Sequence, residues 1–137
     1  MNNEILEVPS KMRVLAIEDN RDFAQIFRYM LEAMGCNLDV AFDGKSGLEL
    51  AQKNRPDIIF CDIGLPGEMD GFAFARAIRA DRDLAHIHLI AVSGYTSDAD
   101  RDRAFDAGFN HVFPKPVKFI DVSMALAAFS KSKNTGG

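Results

Sequence analysis

From Met12 to Ser130 the chain repeats one alternation five times: a short apolar run, then a stretch with helical spacing. A strand that always gives way to a helix cannot return as a hairpin. It reaches the next strand by a crossover, and such crossovers are right-handed in nearly all cases and produce a parallel sheet with helices on both faces. The strands read as Met12–Ile17, Asn37–Ala41, Asp57–Cys61, His88–Val92 and His111–Phe113. The helices read as Asn20–Met34 (ended by Gly35), Asp43–Lys53, Asp70–Asp81, Ser97–Ala107 and Phe119–Ser130. Ser97 with Asp100 three residues on is a capping-box-like start, and Gly108 closes that helix.

The texture of each run orders the strands. Asn37–Ala41 alternates polar and apolar, as a half-exposed edge strand does, whereas Asp57–Cys61 and His88–Val92 are almost continuously apolar, as strands covered on both faces are. The expected architecture is an α/β, flavodoxin-like doubly wound parallel sheet of five βα units, strand order 2-1-3-4-5. The residues divide into a polar lead-in over 1–11, one domain over 12–130 and a disordered tail over 131–137. A chain of 137 residues is large enough to support its own core without disulfide or metal staples.

Charge and cysteine usage exclude several classes. A net charge of −4 with no Lys/Arg cluster argues against direct nucleic-acid binding. Cys36 and Cys61 lack C-x-x-C spacing and read as buried free thiols, which suits a reducing compartment. Neither a signal peptide nor a membrane span is legible, so a cytoplasmic protein without membrane contact is expected.

The strand ends carry the chemistry. The first closes on Glu18-Asp19-Asn20, the third on Asp62, the fourth on Ser93 and the fifth on Lys115-Pro116. Ligands of open parallel sheets bind at the carboxyl ends of the strands. With the first and third strands adjacent, three carboxylates converge, and their repulsion calls for a cation; Mg²⁺ takes hard oxygen ligands and bridges carboxylates to phosphate. An acid after a strand is also a common helix cap, so Asp19 or Asn20 can instead serve the first helix. Asp62, followed by Ile63-Gly64-Leu65-Pro66, is placed to attack phosphorus as a nucleophile. Ser93 offers a hydroxyl and Lys115 a compact positive charge for the same phosphoryl group.

These stretches resemble the receiver domain of two-component response regulators: Val14-Leu15-Ala16-Ile17-Glu18-Asp19-Asn20, Pro56 to Pro66, Met69-Asp70-Gly71-Phe72, Ala91-Val92-Ser93-Gly94-Tyr95 and Lys115-Pro116. The resemblance runs from Met12 to about Phe129. It implies that Asp62 is the phosphoacceptor, that Asp19, Asp62, the Gly64 carbonyl and, through water, Glu18 hold Mg²⁺, and that Ser93 and Lys115 engage the phosphate. It implies a cis Lys115-Pro116 bond. It also implies a histidine kinase or histidine phosphotransfer protein as phosphodonor, docking beside the first helix. Phosphorylation would then alter protein contacts, including a possible homodimer, on the face of the fourth helix, fifth strand and fifth helix. Such a protein is not an enzyme beyond its own phosphorylation and dephosphorylation. On the first helix Phe23, Phe27, Met30 and Met34 read as the core stripe, with Ile26, Tyr29 and Ala33 along a margin that can face a partner.

The chain departs from the family at three places. Val112 replaces the aromatic commonly found three residues before the lysine, leaving Tyr95 as a candidate reporter. Glu68 reads as a one-residue insertion, and Pro114 stiffens the end of the fifth strand. The competing readings are a receiver-like module that is not phosphorylated, an aspartyl-phosphate phosphatase of the haloacid dehalogenase type, and an FMN carrier. The phosphatase lacks its Asp-x-Asp motif after the first strand, and the carrier lacks a Ser/Thr/Gly-rich loop there. Stand-alone receiver and segment of a hybrid kinase both remain open.

Overall fold

A computed structural model describes residues 11–94 and 96–135. The elements run β1 (Arg13–Ile17), α1 (Arg21–Ala33), β2 (Asn37–Ala41), α2 (Gly44–Asn54), β3 (Ile58–Asp62), α3 (Gly71–Ala80), β4 (His88–Ser93), α4 (Asp98–Ala107), β5 (His111–Pro114) and α5 (Phe119–Thr135). All strand pairs are parallel and their order is β2-β1-β3-β4-β5, the doubly wound flavodoxin-like sheet expected above. β2 is half exposed at one edge, and β3 is buried along its whole length.

Successive side chains of a strand point to opposite faces, and the core divides accordingly. Leu15, Ile17, Ile59, Cys61 and Leu89 pack under α2, α3 and α4, where they meet Ala51, Phe74, Ile78 and Ala104. Val14, Ala16, Ile58, Phe60 and Ile90 face α1 and α5, where they meet Phe27, Leu31, Val122 and Leu126. Full burial of side chains of this size contributes about 1.5–3 kcal/mol each, so these two layers carry most of the stability.

Two expectations need correction. The buried stripe of α1 is Ala24, Phe27 and Leu31, with Phe23, Met30 and Met34 only partly buried beside it. Helical periodicity finds an apolar arc but not its centre, and the packing against β1 and β3 rotates that centre toward Leu31. Ile26 and Tyr29 are exposed, as the margin reading expects. α5 continues to Thr135, past Ser130. The lead-in through Ser10, Tyr95 and the last two residues lie outside the described residues. The Lys115-Pro116 bond is cis.

Arg79 ties the α3–β4 and α4–β5 connections together. Its guanidinium donates to the carbonyls of Gly108, Ala85 and Ile87 and to Asn110 Oδ1, at 2.7–3.0 Å. Asn110 Oδ1 also accepts from the Leu89 amide at 2.8 Å. Burial lowers the Arg79 pKa below its ordinary value. These loops hang directly on β4 and β5, the strands that end in Ser93 and Lys115.

Candidate functional site

The site is assembled where β1, β3, β4 and β5 end. In register, Ile17 pairs with Cys61 and Asp62 with Val92, so Glu18 follows β1 next to the end of β3 and Ser93 lies one residue past the partner of Asp62. Ser93 pairs in turn with Pro114, and its carbonyl accepts from the Lys115 amide at 2.8 Å. Three sheet registers therefore bring residues up to 97 positions apart to one edge.

Asn20 settles the choice between cap and cluster. Its Oδ1 accepts from the amides of Asp22 and Phe23 at 2.9 and 3.2 Å and starts α1, which leaves Asp19 to the cluster. Carboxylate oxygens of Glu18, Asp19 and Asp62 lie within 4.8 Å of one another. Glu18 and Asp62 are buried and Asp19 is exposed, so the cluster is open on one side.

Each buried acid is held on both its oxygens. Glu18 Oε2 accepts from the Asn20 amide at 3.0 Å, and Oε1 lies 2.8 Å from Lys115 Nζ. That second contact is an ion pair outside hydrogen-bonding direction, which makes Oε1 a buried acceptor with no directed donor among the described residues. Asp62 Oδ1 accepts from the Gly64 amide at 2.9 Å, and Oδ2 accepts from Lys115 Nζ at 3.1 Å. Burial raises the Glu18 pKa, with the Asp62 charge adding to it and Lys115 and Asn20 opposing. Burial works against the Lys115 ammonium, but its bonds to Glu18 and Asp62 outweigh that and hold its pKa above the ordinary value. The lysine is thus held as a cation beside Asp62 at neutral pH. Three converging carboxylates, two of them buried, suit a hard divalent cation.

Ser93 is buried on β4, with a hydroxyl that can serve the oxygens of a group built on Asp62. The loop after Asp62 carries Glu68. It turns at Gly67, whose φ of +90° lies in the region that glycine favours. Val112 is buried in the layer beneath α2, α3 and α4, and being a valine it places no aromatic ring there.

Two contributors escaped the sequence reading. A Cβ on Gly71 would sit 2.4 Å from Ile63 Cα and 2.7 Å from the Asp62 carbonyl oxygen, so the missing side chain lets α3 press on the end of β3. The Asp-Gly pair was legible as a motif, but the contact was not. The Phe23 ring lies under Lys115, with Nζ 4.8 Å from its centroid. Its helical spacing signals only a core position.

A separate cleft of about 750 Å³ opens at the opposite ends of the strands, walled by His86, His88, His111 and Phe129. It contains all three histidines of the chain. Among the described residues the only converging group of three or more metal-ligating side chains is the acidic one at the carboxyl edge.

A parallel sheet of this order, with an acidic trio and a lysine at its carboxyl edge, defines an α/β domain of the receiver type. The response regulator receiver domain model matches residues 14–127, and the chain belongs to that family. The polar-differentiation response regulator DivK of Brucella anthropi is 34% identical over 111 residues, 79% of this chain and 89% of DivK. The hybrid signal transduction histidine kinase L of Dictyostelium discoideum is 31% identical over 134 residues, 92% of this chain but 8% of that protein. The receiver domain of sensor histidine kinase PA1611 from Pseudomonas aeruginosa PAO1, solved with a magnesium ion coordinated in its active site cleft, superimposes with a TM-score of 0.82 at 28% identity, covering 90% of this chain and 100% of that one. No helix among the described residues is long and apolar enough to cross a membrane.

Proposed function

We propose that this receiver domain accepts a phosphoryl group on Asp62 from a phosphohistidine and passes the signal on through protein contacts. The observation that carries the reading is the Asp62 carboxylate, held by Lys115 at 3.1 Å beside the carboxylates of Glu18 and Asp19. Asp19, Asp62, the Gly64 carbonyl and, through water, Glu18 would hold Mg²⁺. Bound there, the ion would neutralise charge on the transferring group.

The chain's own residues do the rest by positioning and electrostatics, which is most of what phosphoryl transfer asks of a protein. The Gly64 amide bonds Asp62 Oδ1 and fixes the plane of the carboxylate, leaving Oδ2 to attack phosphorus in line. The bond from phosphorus to the donor imidazole nitrogen breaks as the bond to Oδ2 forms. Lys115, already beside Oδ2, receives the equatorial oxygens of the group without crossing solvent. Ser93 donates its hydroxyl to another of those oxygens.

The phosphodonor is a histidine kinase or a histidine phosphotransfer domain. The exposed Ile26 and Tyr29 of α1, the helix that starts beside Asp19, offer it an apolar landing strip. Output runs through the face of α4, β5 and α5, with a homodimer among its forms.

Incubation with Mg²⁺ and acetyl phosphate followed by intact mass measurement tests the reading. One phosphoryl adduct on the wild type and none on Asp62→Asn is expected. A wild type that takes up no phosphoryl group from acetyl phosphate or from a phosphohistidine donor would overturn it.

A further inference from the structure

We propose that Phe23 is a positioning residue for Lys115, its ring face holding the ammonium against the Asp62–Glu18 pair; this deepens the phosphoacceptor reading and rests on it.

A lysine reaches its partners on a flexible four-carbon stem and loses much freedom when it is held in one place. Lys115 Nζ is nevertheless fixed from three directions: Glu18 Oε1 at 2.8 Å, Asp62 Oδ2 at 3.1 Å and the Phe23 ring centroid at 4.8 Å. An aromatic face carries negative potential and attracts a cation within about 6 Å of its centroid, most strongly where water is excluded. The Lys115 side chain is only 14% exposed. The recess behind it, about 20 Å³, is walled beyond Glu18 and Lys115 by Phe23, Ile26, Phe27, Met30 and Val92, which give a water few polar partners.

Phe23 is itself well anchored. Its amide donates to Asn20 Oδ1, so the cap that starts α1 immediately after Asp19 also fixes the backbone from which the ring projects. When a phosphoryl group forms on Asp62, Lys115 exchanges part of its carboxylate contact for phosphoryl oxygens. The ring contact involves neither acid and persists through that exchange. It keeps the ammonium in the pocket while its anionic partners change, and it does so without adding negative charge to a site already crowded with it.

Replacement of Phe23 by mono-, di- and trifluorophenylalanine weakens the ring face stepwise with little change of shape. The rate of phosphorylation by acetyl phosphate with Mg²⁺ is expected to fall in the same steps, to about a tenth of wild type. Phe23→Leu should fall to the bottom of the series, and Phe23→Trp should stay near wild type. A rate indifferent to fluorination would overturn the proposal.

A second measurement does not depend on phosphorylation. The Lys115 Hε protons of the unmodified protein should show an upfield ring-current shift by NMR that Phe23→Leu abolishes. Ordinary lysine shifts in the wild type would overturn the ring contact outright. A normal ring-current signature in a wild type that takes up no phosphoryl group would support the contact and sink the phosphoacceptor reading instead.

Discussion

Lys115 Nζ lies 3.1 Å from Asp62 Oδ2 across 53 residues of sequence, and it reaches Glu18 with the same nitrogen. One ammonium thus stands against two buried carboxylates, both as a structural counter-ion and as a cation beside the proposed phosphoacceptor.

Lys115→Met should lower the rate of phosphorylation by acetyl phosphate about 10²-fold or more, the usual cost of deleting a preorganised charge. It should also destabilise the fold by about 1–3 kcal/mol, because it leaves Glu18 buried without its partner. Adding Glu18→Gln should recover part of that loss. Urea unfolding of the single and double variants measures the coupling, and strictly additive effects would contradict it.

Mg²⁺ should raise the melting temperature of the unphosphorylated protein. A ligand at ten times its Kd stabilises by about 1.4 kcal/mol, worth a few degrees in a domain of this size. Asp19→Asn should remove most of the shift, since it takes one of the three carboxylates from the cluster. Thermal scans with and without the ion decide it, and an equal shift in both proteins would locate the effect elsewhere.

Arg79→Met should cost about 3 kcal/mol, because three carbonyls and Asn110 lose a shared donor at once. Arg79→Lys should recover only a part, since an ammonium lacks the planar fork that reaches all four acceptors. Denaturant midpoints test this. Both variants should still take the phosphoryl group at low temperature, as Arg79 does not touch Asp62.

His88 should make stability depend on pH below neutrality. Burial, with smaller contributions from the His111 and Arg79 charges, lowers its pKa from 6.5 to about 4. Between those values the unfolded chain binds a proton that the folded protein refuses. The contribution is therefore fully present above about pH 6.5 and is lost as the pH falls toward 4. His88→Phe keeps a ring against His111 and Phe129 and should flatten the profile relative to wild type. Urea midpoints at pH 7, 6 and 5 give the comparison.

Edge and centre were legible because strand texture reports burial: β2 alternates and sits at an edge, whereas β3 up to Asp62 and the inner part of β4 are apolar and sit inside, and the full order came with the family resemblance. The strand ends were legible too, since polar residues that close apolar runs stand out against them. The centre of the α1 stripe was not. Phe23, Phe27, Met30 and Leu31 are all apolar on one wide arc, and only contact with the sheet makes Leu31 fully buried and leaves Met30 at the margin. The hub at Arg79 was invisible for a related reason. Three of its four acceptors are main-chain carbonyls, which every sequence has, and what matters is where two loops place them.

Local pattern alone therefore determined the parallel, two-faced architecture and the residues that arrive at its carboxyl edge, because periodicity and strand ends are properties of neighbouring residues. Tertiary structure decided which oxygen of Glu18 and Asp62 faces Lys115, that Asn20 rather than Asp19 caps α1, how closely Gly71 brings α3 to Asp62, and that Phe23 lies under the ammonium. Those are distances between atoms far apart in the chain, and they exist only once packing has fixed the registers of four strands and the rotation of the helices upon them.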